Sequence, residues 1–392
     1  MRRKALVYFT QFNAALGGSE YLPLTFAAEL QKTCDVTLAL NWESDVARAA
    51  ETMRIPVDMS RLQIVYVKPK SRLLQRLDAI LPFYRTWRLK HLAKDADICI
   101  STVNMFDFGK PAHHFVFMLR HFGDNAFIDY INHVQPKTGI ALFRRKLRTL
   151  IAEHILRPLL GVRSTRTILA DPRERIYPNS LYVERVMRDF YGSFSSTLFY
   201  PPTICEFRNG GVVRNPFKVV YIGQIFPEKR VADIIGIVER AREISGCNLL
   251  LDIAGPLSTT PYVEKIKDLA SHREWVSLLG GVYGKDKEIF LLSATYAIHA
   301  ERDEAFGISV TEYLKAGLVP IVPDEGGATE IVGSDSLTYH LNEAAAQILS
   351  KLLHDEAFRK EQQRLCSERA KHFSLQSYME RQRILLKRIV AP

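Results

Sequence analysis

Cysteine is scarce in this sequence, and none of it is paired. Five cysteines (Cys34, Cys99, Cys205, Cys247 and Cys366) are scattered over 392 residues, which argues against a zinc site or a disulfide framework and suits a reducing compartment. No stretch approaches the roughly 18 uninterrupted apolar residues of a spanning helix. The apolar run Ala5–Thr10 behind Met-Arg-Arg-Lys is too short for a signal-peptide core and reads as a buried strand. There is no low-complexity tract and no internal repeat, which argues against a solenoid. No Gly-x-Gly-x-x-Gly follows the first strand, which counts against a nicotinamide dehydrogenase. The aromatics sit among aliphatics rather than on a stacking platform, and no RNA- or DNA-binding signature is present, so no nucleic-acid partner is expected. What remains is a soluble or membrane-peripheral globular protein.

What is present is an ordinary globular composition, 47% apolar and 24% charged, long enough for two domains. The net charge of +10 is unevenly spread. Residues 1–208 carry 30 Lys and Arg against 19 Asp and Glu, whereas the remainder carries 23 against 24. Both halves alternate β-rich runs with helical periodicity. Ala5–Thr10, Asp35–Leu40, Ile64–Val67, Ile98–Thr102 and Phe115–Leu119 read as strands in the first half. Lys218–Ile222, Leu249–Ala254, Val276–Leu279, Tyr296–Ala300 and Val319–Val322 do so in the second. Helical segments such as Glu20–Gln31, Lys229–Glu243, Pro261–Ser271 and Gly307–Ala316 lie between them. The pattern predicts an α/β protein of two doubly wound, Rossmann-like domains. A break near Tyr200-Pro201-Pro202 that continues through Asn209-Gly210-Gly211 separates 1–208 from 209–375.

Ligands of doubly wound sheets bind beyond the carboxyl ends of strands, where helix N-termini present free N–H groups. One such place stands out. Glu301-Arg302-Asp303-Glu304-Ala305-Phe306-Gly307-Ile308-Ser309-Val310-Thr311-Glu312 follows the strand Tyr296–Ala300 and opens a helix. Gly307 permits close backbone approach, and the Ile308 and Ser309 N–H groups suit a phosphate. Glu304 and Glu312 are eight residues apart, about 12 Å if all were helical. Two glutamates at that spacing could equally be solvated groups flanking an ordinary helix start.

The neighbouring residues decide between these. The segment resembles the Glu-x7-Glu signature of the retaining glycosyltransferases of family 4, which have the two-Rossmann-domain GT-B architecture with an interdomain cleft. The likeness continues through Ala316-Gly317-Leu318-Val319-Pro320-Ile321-Val322, Gly326-Gly327 and Glu330-Ile331-Val332. Val220–Lys229 is similar to the family's first C-domain strand and phosphate loop. Pro178–Tyr182, Tyr191-Gly192 and Tyr200-Pro201-Pro202 resemble the end of its N-domain, and Leu16-Gly17-Gly18-Ser19-Glu20 its N-terminal glycine loop. Phe373-Ser374 and the amphipathic stretch after it resemble the terminal helix, about 376–392, that completes the first domain.

The resemblance implies roles. Glu312 would accept from the nucleotide ribose and Glu304 from the transferred sugar. The N–H groups of Gly307, Ile308 and Ser309 would hold the diphosphate, with Phe306 beside them and Gly17 and Gly18 closing from the first domain. Lys229 would neutralise the leaving group. His121, in Arg120-His121-Phe122, would position the acceptor, with His113, His114 and His133 as competitors. Transfer would proceed by same-face attack through an oxocarbenium-like state, the leaving phosphate oxygen taking the acceptor proton. Gln224 stands where the family has an arginine, so its amide would contact phosphate without charge. No cofactor and no metal are expected, and Asp95-Ala96-Asp97 reads as a solvated turn rather than a metal motif. A nucleoside-diphosphate sugar would be the donor and a glycan or polyprenyl-linked molecule the acceptor. A nucleotide-sugar epimerase of the same fold and a non-catalytic sugar-nucleotide-binding protein are the alternatives.

The basic charge gathers in two segments. Arg61–Lys94 has nine Lys and Arg against one acid, and Lys137–Arg166 has eight against one, both interleaved with apolar residues at helical spacing. Such segments suit an anionic membrane surface, which places the protein in the cytoplasm, peripheral to the inner face of the cytoplasmic membrane. The same pattern also fits helices packing on their own sheet.

Overall fold

The computed structural model describes residues 2–12, 18–69, 81–117, 127, 151, 155–207 and 211–391. They form two compact units, Met1–Pro202 with Tyr378–Pro392, and Thr203–Ser377.

Each unit is built on a six-stranded parallel sheet. The first contains β1 (Arg3–Phe9), β2 (Cys34–Leu40), β3 (Leu62–Tyr66), β4 (Ile98–Ser101), β5 (His113–Val116) and β6 (Arg175–Pro178), in the order β3-β2-β1-β4-β5-β6. The second contains β7 (Lys218–Ile222), β8 (Leu250–Ala254), β9 (Val276–Gly280), β10 (Tyr296–Ile298), β11 (Val319–Pro323) and β12 (Thr338–Tyr339), in the order β12-β11-β10-β7-β8-β9. Counted from the first strand of each unit, both orders are 3-2-1-4-5-6, the Rossmann order.

The central strands are apolar because helices cover both faces. Val7 lies opposite Leu38 of β2 and Ile100 of β4, all three buried. Ala297 of β10 lies opposite Val220 of β7 and Pro320 of β11, and every residue of β11 is buried. In the first unit the helix Leu375–Val390 docks through Tyr378, whose buried ring meets Tyr21 and Phe199 and whose hydroxyl lies 3.2 Å from Thr25 Oγ1. Arg3 Nη1 donates to the Val390 carbonyl at 2.5 Å.

Most expected strands stand within two residues of their expected starts. Two short ones, β6 and β12, have no alternation to betray them. The strand expected at Phe115–Leu119 runs from His113 to Val116. The helix expected from Lys229 begins two residues later, at Val231. Pro227 opens a separate 3-10 turn, Pro227–Lys229, and Arg230 in the left-handed region (φ 50°) breaks the chain direction between the two. Lys229 therefore rides on a turn rather than on a helix.

Candidate active site

In the second unit the strand order reverses between β7 and β10, so the loops leaving their carboxyl ends meet at the switch point. The loop after β7 carries Gln224 and Lys229, and the loop after β10 carries Glu301 and Glu304. Lys229 Nζ donates to Glu304 Oε2 at 2.7 Å and also bonds Glu301 Oε2. Burial pulls the Lys229 pKa down, but the charges of Glu304 and Glu301 outweigh it and hold it above the ordinary lysine value.

The two carboxyl groups lie within hydrogen-bonding reach of one another. Two such groups in one buried pocket cannot ionise independently. Burial, then the charge of Glu304, pushes Glu301 up to about 7. Burial acts upward on Glu304 as well, but Lys229 and the pair's own hydrogen bond hold it below the usual carboxylate range. His299, the residue after β10, closes the cluster from below. It is 2% exposed, neither ring nitrogen has a hydrogen-bond partner among the described residues, and Nε2 is 3.8 Å from Glu304 Oε2. Burial pushes its pKa down to about 4, so it is neutral at pH 7.

Gly307 sits at φ 100° and opens the helix Ile308–Lys315, to which it offers no capping side chain. The first-turn N–H groups of Ile308 and Ser309 thus face outward at the positive end of the helix dipole. Tyr313 anchors this helix to the sheet, its hydroxyl accepting from the Ile222 N–H at 2.9 Å. The glycine pair after β11 fixes the loop from the other side: a Cβ at Gly326 would lie 2.5 Å from the Arg302 carbonyl oxygen, and one at Gly327 2.5 Å from that of Ala305. The Gly327 N–H donates to the Glu304 carbonyl at 2.7 Å. Phe306 turns inward and meets Phe373 edge-on at 6.0 Å, so its ring belongs to the core.

Glu312, one turn into the same helix, is buried and has a lysine of its own. Lys287 Nζ, from the helix Gly284–Leu292, donates to Glu312 Oε1 at 2.7 Å, and Cys205 Sγ donates to the same oxygen at 3.2 Å. Burial pulls Lys287 down, but the charge of Glu312 holds it above the ordinary value. Each carboxylate of the Glu304/Glu312 pair is thereby matched to one ammonium.

Gln224 is exposed, and its carbonyl accepts from the Tyr221 hydroxyl at 2.8 Å. The Arg230 guanidinium is committed to Asp233 at 2.6 Å. Gly18 opens the helix Gly18–Leu30, while Gly17, His121 and His133 lie outside the described residues. His114 is buried and lies 2.9 Å from Glu174, and His113 pairs with the Tyr177 hydroxyl at 3.0 Å; both serve β5. Asp97 caps the Lys4 N–H at 2.7 Å. His299, Glu301 and Glu304 offer ligand atoms within 4.8 Å of one another, but Lys229 already sits on both carboxylates, so a metal ion would have to displace it.

Chemically, a lysine on paired carboxylates at the switch point, beside an uncapped helix N-terminus, offers positive groups to a phosphate and acids to hydroxyl groups. Residues 206–373 match the family model for glycosyl transferases, group 1. The match falls in the second unit and includes Lys229, Lys287 and the whole of Glu301–Glu312. No curated protein sequence matches the chain. Solved structures resemble it over nearly its full length. WaaG, a glycosyltransferase involved in lipopolysaccharide biosynthesis, is 17% identical with a TM-score of 0.64, covering 97% of this chain and 99% of its own. Anabaena Alr3699/HepE, in complex with UDP and glucose, is 13% identical with a TM-score of 0.65, covering 98% and 99%. Sucrose-phosphate synthase from Thermosynechococcus elongatus is 12% identical with a TM-score of 0.63, covering 99% of each chain. At these identities the likeness establishes the fold, the GT-B pair of Rossmann-like domains.

Sequence reasoning missed His299, Glu301 and Lys287. Glu301 stands three residues before Glu304, and an acid directly after a buried strand was a signal available for it. Lys287 lies 25 residues before Glu312 and carries no local signal; only the return of the chain to the sheet joins them.

Proposed function

We propose that the protein is a retaining, metal-independent glycosyltransferase. It moves a hexose-type sugar from a nucleoside-diphosphate sugar to a glycan or polyprenyl-linked acceptor during surface polysaccharide or glycolipid assembly. The observation that carries this reading is Lys229 on Glu301 and Glu304 beside the N-terminus of Ile308–Lys315, within the matched domain.

The diphosphate lies against the Ile308 and Ser309 N–H groups, where the helix dipole favours negative charge. Lys229 follows the charge that develops on the leaving phosphate, the interaction that lowers the barrier most in such sites. Glu304 accepts from the sugar hydroxyls and Glu312 from the ribose, with Lys287 holding the Glu312 carboxylate in place. Gln224 adds a neutral amide. The family resemblance assigns acceptor and sugar contacts to His121, Gly17 and Gly18, and in the mechanism it implies the leaving phosphate oxygen takes the acceptor proton. Lysine and helix terminus together supply the positive charge that a divalent ion would otherwise bring, so activity should survive a chelator.

Peripheral membrane attachment has its own support. Ile151, Ile155 and Leu159 follow one another at four-residue spacing in a basic segment and are exposed, Leu159 to 75%. Trp87 of the helix Leu81–Ala93 is exposed too, although Phe83 and Leu89 of that helix pack inward. Exposed apolar side chains in a basic segment match an anionic bilayer surface. Among the described residues no helix is long and apolar enough to cross a membrane.

The test is a screen of nucleotide sugars by thermal shift, followed by transfer to glycan and polyprenyl-linked acceptors with the anomeric configuration of the product read by NMR. A stabilising nucleotide sugar and a product of unchanged configuration are expected. An epimer formed from the donor alone, or binding without turnover, would replace the transferase reading. Failure to sediment with anionic vesicles at low salt would remove the membrane part.

A further inference from the structure

Arg85 is a partly buried cation with no counter-charge on it among the described residues. Its Nε is enclosed and meets no hydrogen-bond acceptor there. What Arg85 does meet is the Trp42 ring, 5.5 Å from Cζ to the centroid, and Tyr8. Burial holds the Tyr8 hydroxyl protonated, and it already donates to Asn41 at 2.9 Å, so it brings no negative charge. Burial in turn pulls the Arg85 pKa below the ordinary arginine value. Other partly buried arginines are satisfied. Arg163 has Asp107 and Glu174, and Arg214 has the Ala294, Ala316 and Gly317 carbonyls. An enclosed guanidinium donor left unmatched is costly, and an acceptor from outside the chain would remove that cost.

The surroundings say what kind of acceptor fits. Asn41 and Trp42 follow β2, Lys68 stands two residues after β3, and Arg85 reaches in from the helix Leu81–Ala93. The Asn41 N–H donates to the Thr10 carbonyl and the Val67 N–H to the Leu40 carbonyl, each at 2.8 Å, which laces together the loops after β1, β2 and β3. Lys68 Nζ also stands over the Trp42 ring, at 5.7 Å, and the carboxylate beside it, Glu43 at 3.3 Å, is 75% exposed. Two cations thus share one indole at the end of the sheet where ligands enter doubly wound folds. A guanidinium presents its donors in a planar fork that matches phosphate oxygens, and an ammonium adds a point charge.

We propose that Arg85 and Lys68, held on Trp42, bind a phosphate group of the acceptor, so that the acceptor is a phosphorylated glycan or a polyprenyl-diphosphate glycan and not a neutral sugar. The proposal rests on the transferase reading above and adds the charge of the acceptor to it. Lys68 exchanges an exposed carboxylate for phosphate, which costs little because such surface pairs are weak. Arg85 gains the anion that the described residues do not give it. Part of the charge in the basic stretch Arg61–Lys94 then serves substrate recognition.

Titration calorimetry on the full chain, saturated with UDP to fill the donor site, tests this with glucose, glucose 1-phosphate and farnesyl diphosphate as probes. At least one of the two phosphates should bind about 10- to 100-fold tighter than glucose, the usual worth of hydrogen bonds to a charged group. Glucose 1-phosphate alone would mark a phosphorylated glycan, and farnesyl diphosphate alone a lipid-linked one. Arg85→Gln should abolish most of the preference, Lys68→Gln less of it, and Arg85→Lys should restore part, while UDP affinity stays unchanged in all three. A chain that binds neither phosphate more tightly than glucose, or a preference undiminished in Arg85→Gln, overturns the subsite and leaves the donor site standing. Should Arg85→Gln fail to fold, Lys68→Gln decides, and an undiminished preference there overturns the subsite equally. If UDP does not bind, the donor reading falls, and the same probes on the free chain and its variants still decide the subsite.

Discussion

Two buried ionic clusters, one in each unit, sit at opposite ends of sheets with the same strand order. In the first unit Arg163 bonds Asp107 and Glu174, each at 2.8 Å, Lys90 approaches Asp107 at 3.3 Å, and Glu174 also accepts from the Ala112 N–H. These groups gather where the chain enters β5 and β6, at the amino ends of the strands. Two cations meet two buried carboxylates, and each is satisfied. In the second unit the cluster stands at the carboxyl ends of β7 and β10, where Lys229 bonds both Glu301 and Glu304 and His299 has no hydrogen-bond partner on its ring among the described residues. A balanced cluster at the amino ends is scaffold. A cluster at the carboxyl ends stands where doubly wound sheets receive ligands.

The carboxyl ends of β1 and β4 sharpen the contrast. There Tyr8 donates to Asn41 at 2.9 Å, and the Thr102 hydroxyl donates to the Tyr8 carbonyl. Topology makes a switch point in both sheets; Arg85 faces Tyr8 at the first, and Lys229 sits on two carboxylates at the second.

The comparison can be broken most forcefully on the scaffold side. Glu174→Ala removes the partner of His114 and one of the carboxylates on Arg163, and it should lower stability by about 3–5 kcal/mol, as breaking a buried pair does. Denaturant melts would show this, while nucleotide-sugar affinity of the folded molecules stays unchanged. A loss of affinity with little change in stability would reverse the assignment of the two clusters. Next in size, Lys229→Met should lower kcat about 100- to 1,000-fold, the usual cost of removing one charge-stabilising group. Its stability should fall less than that of Glu174→Ala, because the freed carboxylates can share a proton. Equal stability losses would make Lys229 scaffold as well.

Acidification gives the smallest effect, and its sign differs between the units. Burial holds His113 down to about 4, so below the ordinary histidine value the unfolded chain binds more protons and stability falls as pH drops from 6.5 toward 4. Asp107 and Glu174 are held low despite burial, and they add their own loss only as pH falls below their ordinary values of 3.8 and 4.5. In the second unit His299 acts the same way. Glu301, raised to about 7, binds its proton in the folded state between its ordinary value and 7, so it gains stability as pH falls. Hydrogen exchange between pH 6.5 and 5 should therefore show the first unit loosening more than the second. Equal loosening would mean that Glu301 is not raised.

Much of this was legible in the chain itself. Strand-length apolar runs specify two parallel sheets, because only strands covered on both faces are apolar throughout. Glu304, Gly307 and Glu312 lie within nine residues, a span short enough for local spacing to state their relation. Lys229 was recognisable from its loop, although the turn that separates it from its helix depends on Pro227 and on the left-handed Arg230. What only the tertiary structure decided is which ions meet. Glu301 bonds a residue 72 positions away, Lys287 one 25 away, and Arg163 spans β4 to β6. Whether an acid is solvated, paired or in surplus depends on what the return of the chain places beside it, and in low dielectric that neighbour sets its charge. The residues of the Glu304–Glu312 segment could be named from their order alone; the meeting of Lys229 with Glu301 and Glu304 exists only once β7 and β10 lie side by side.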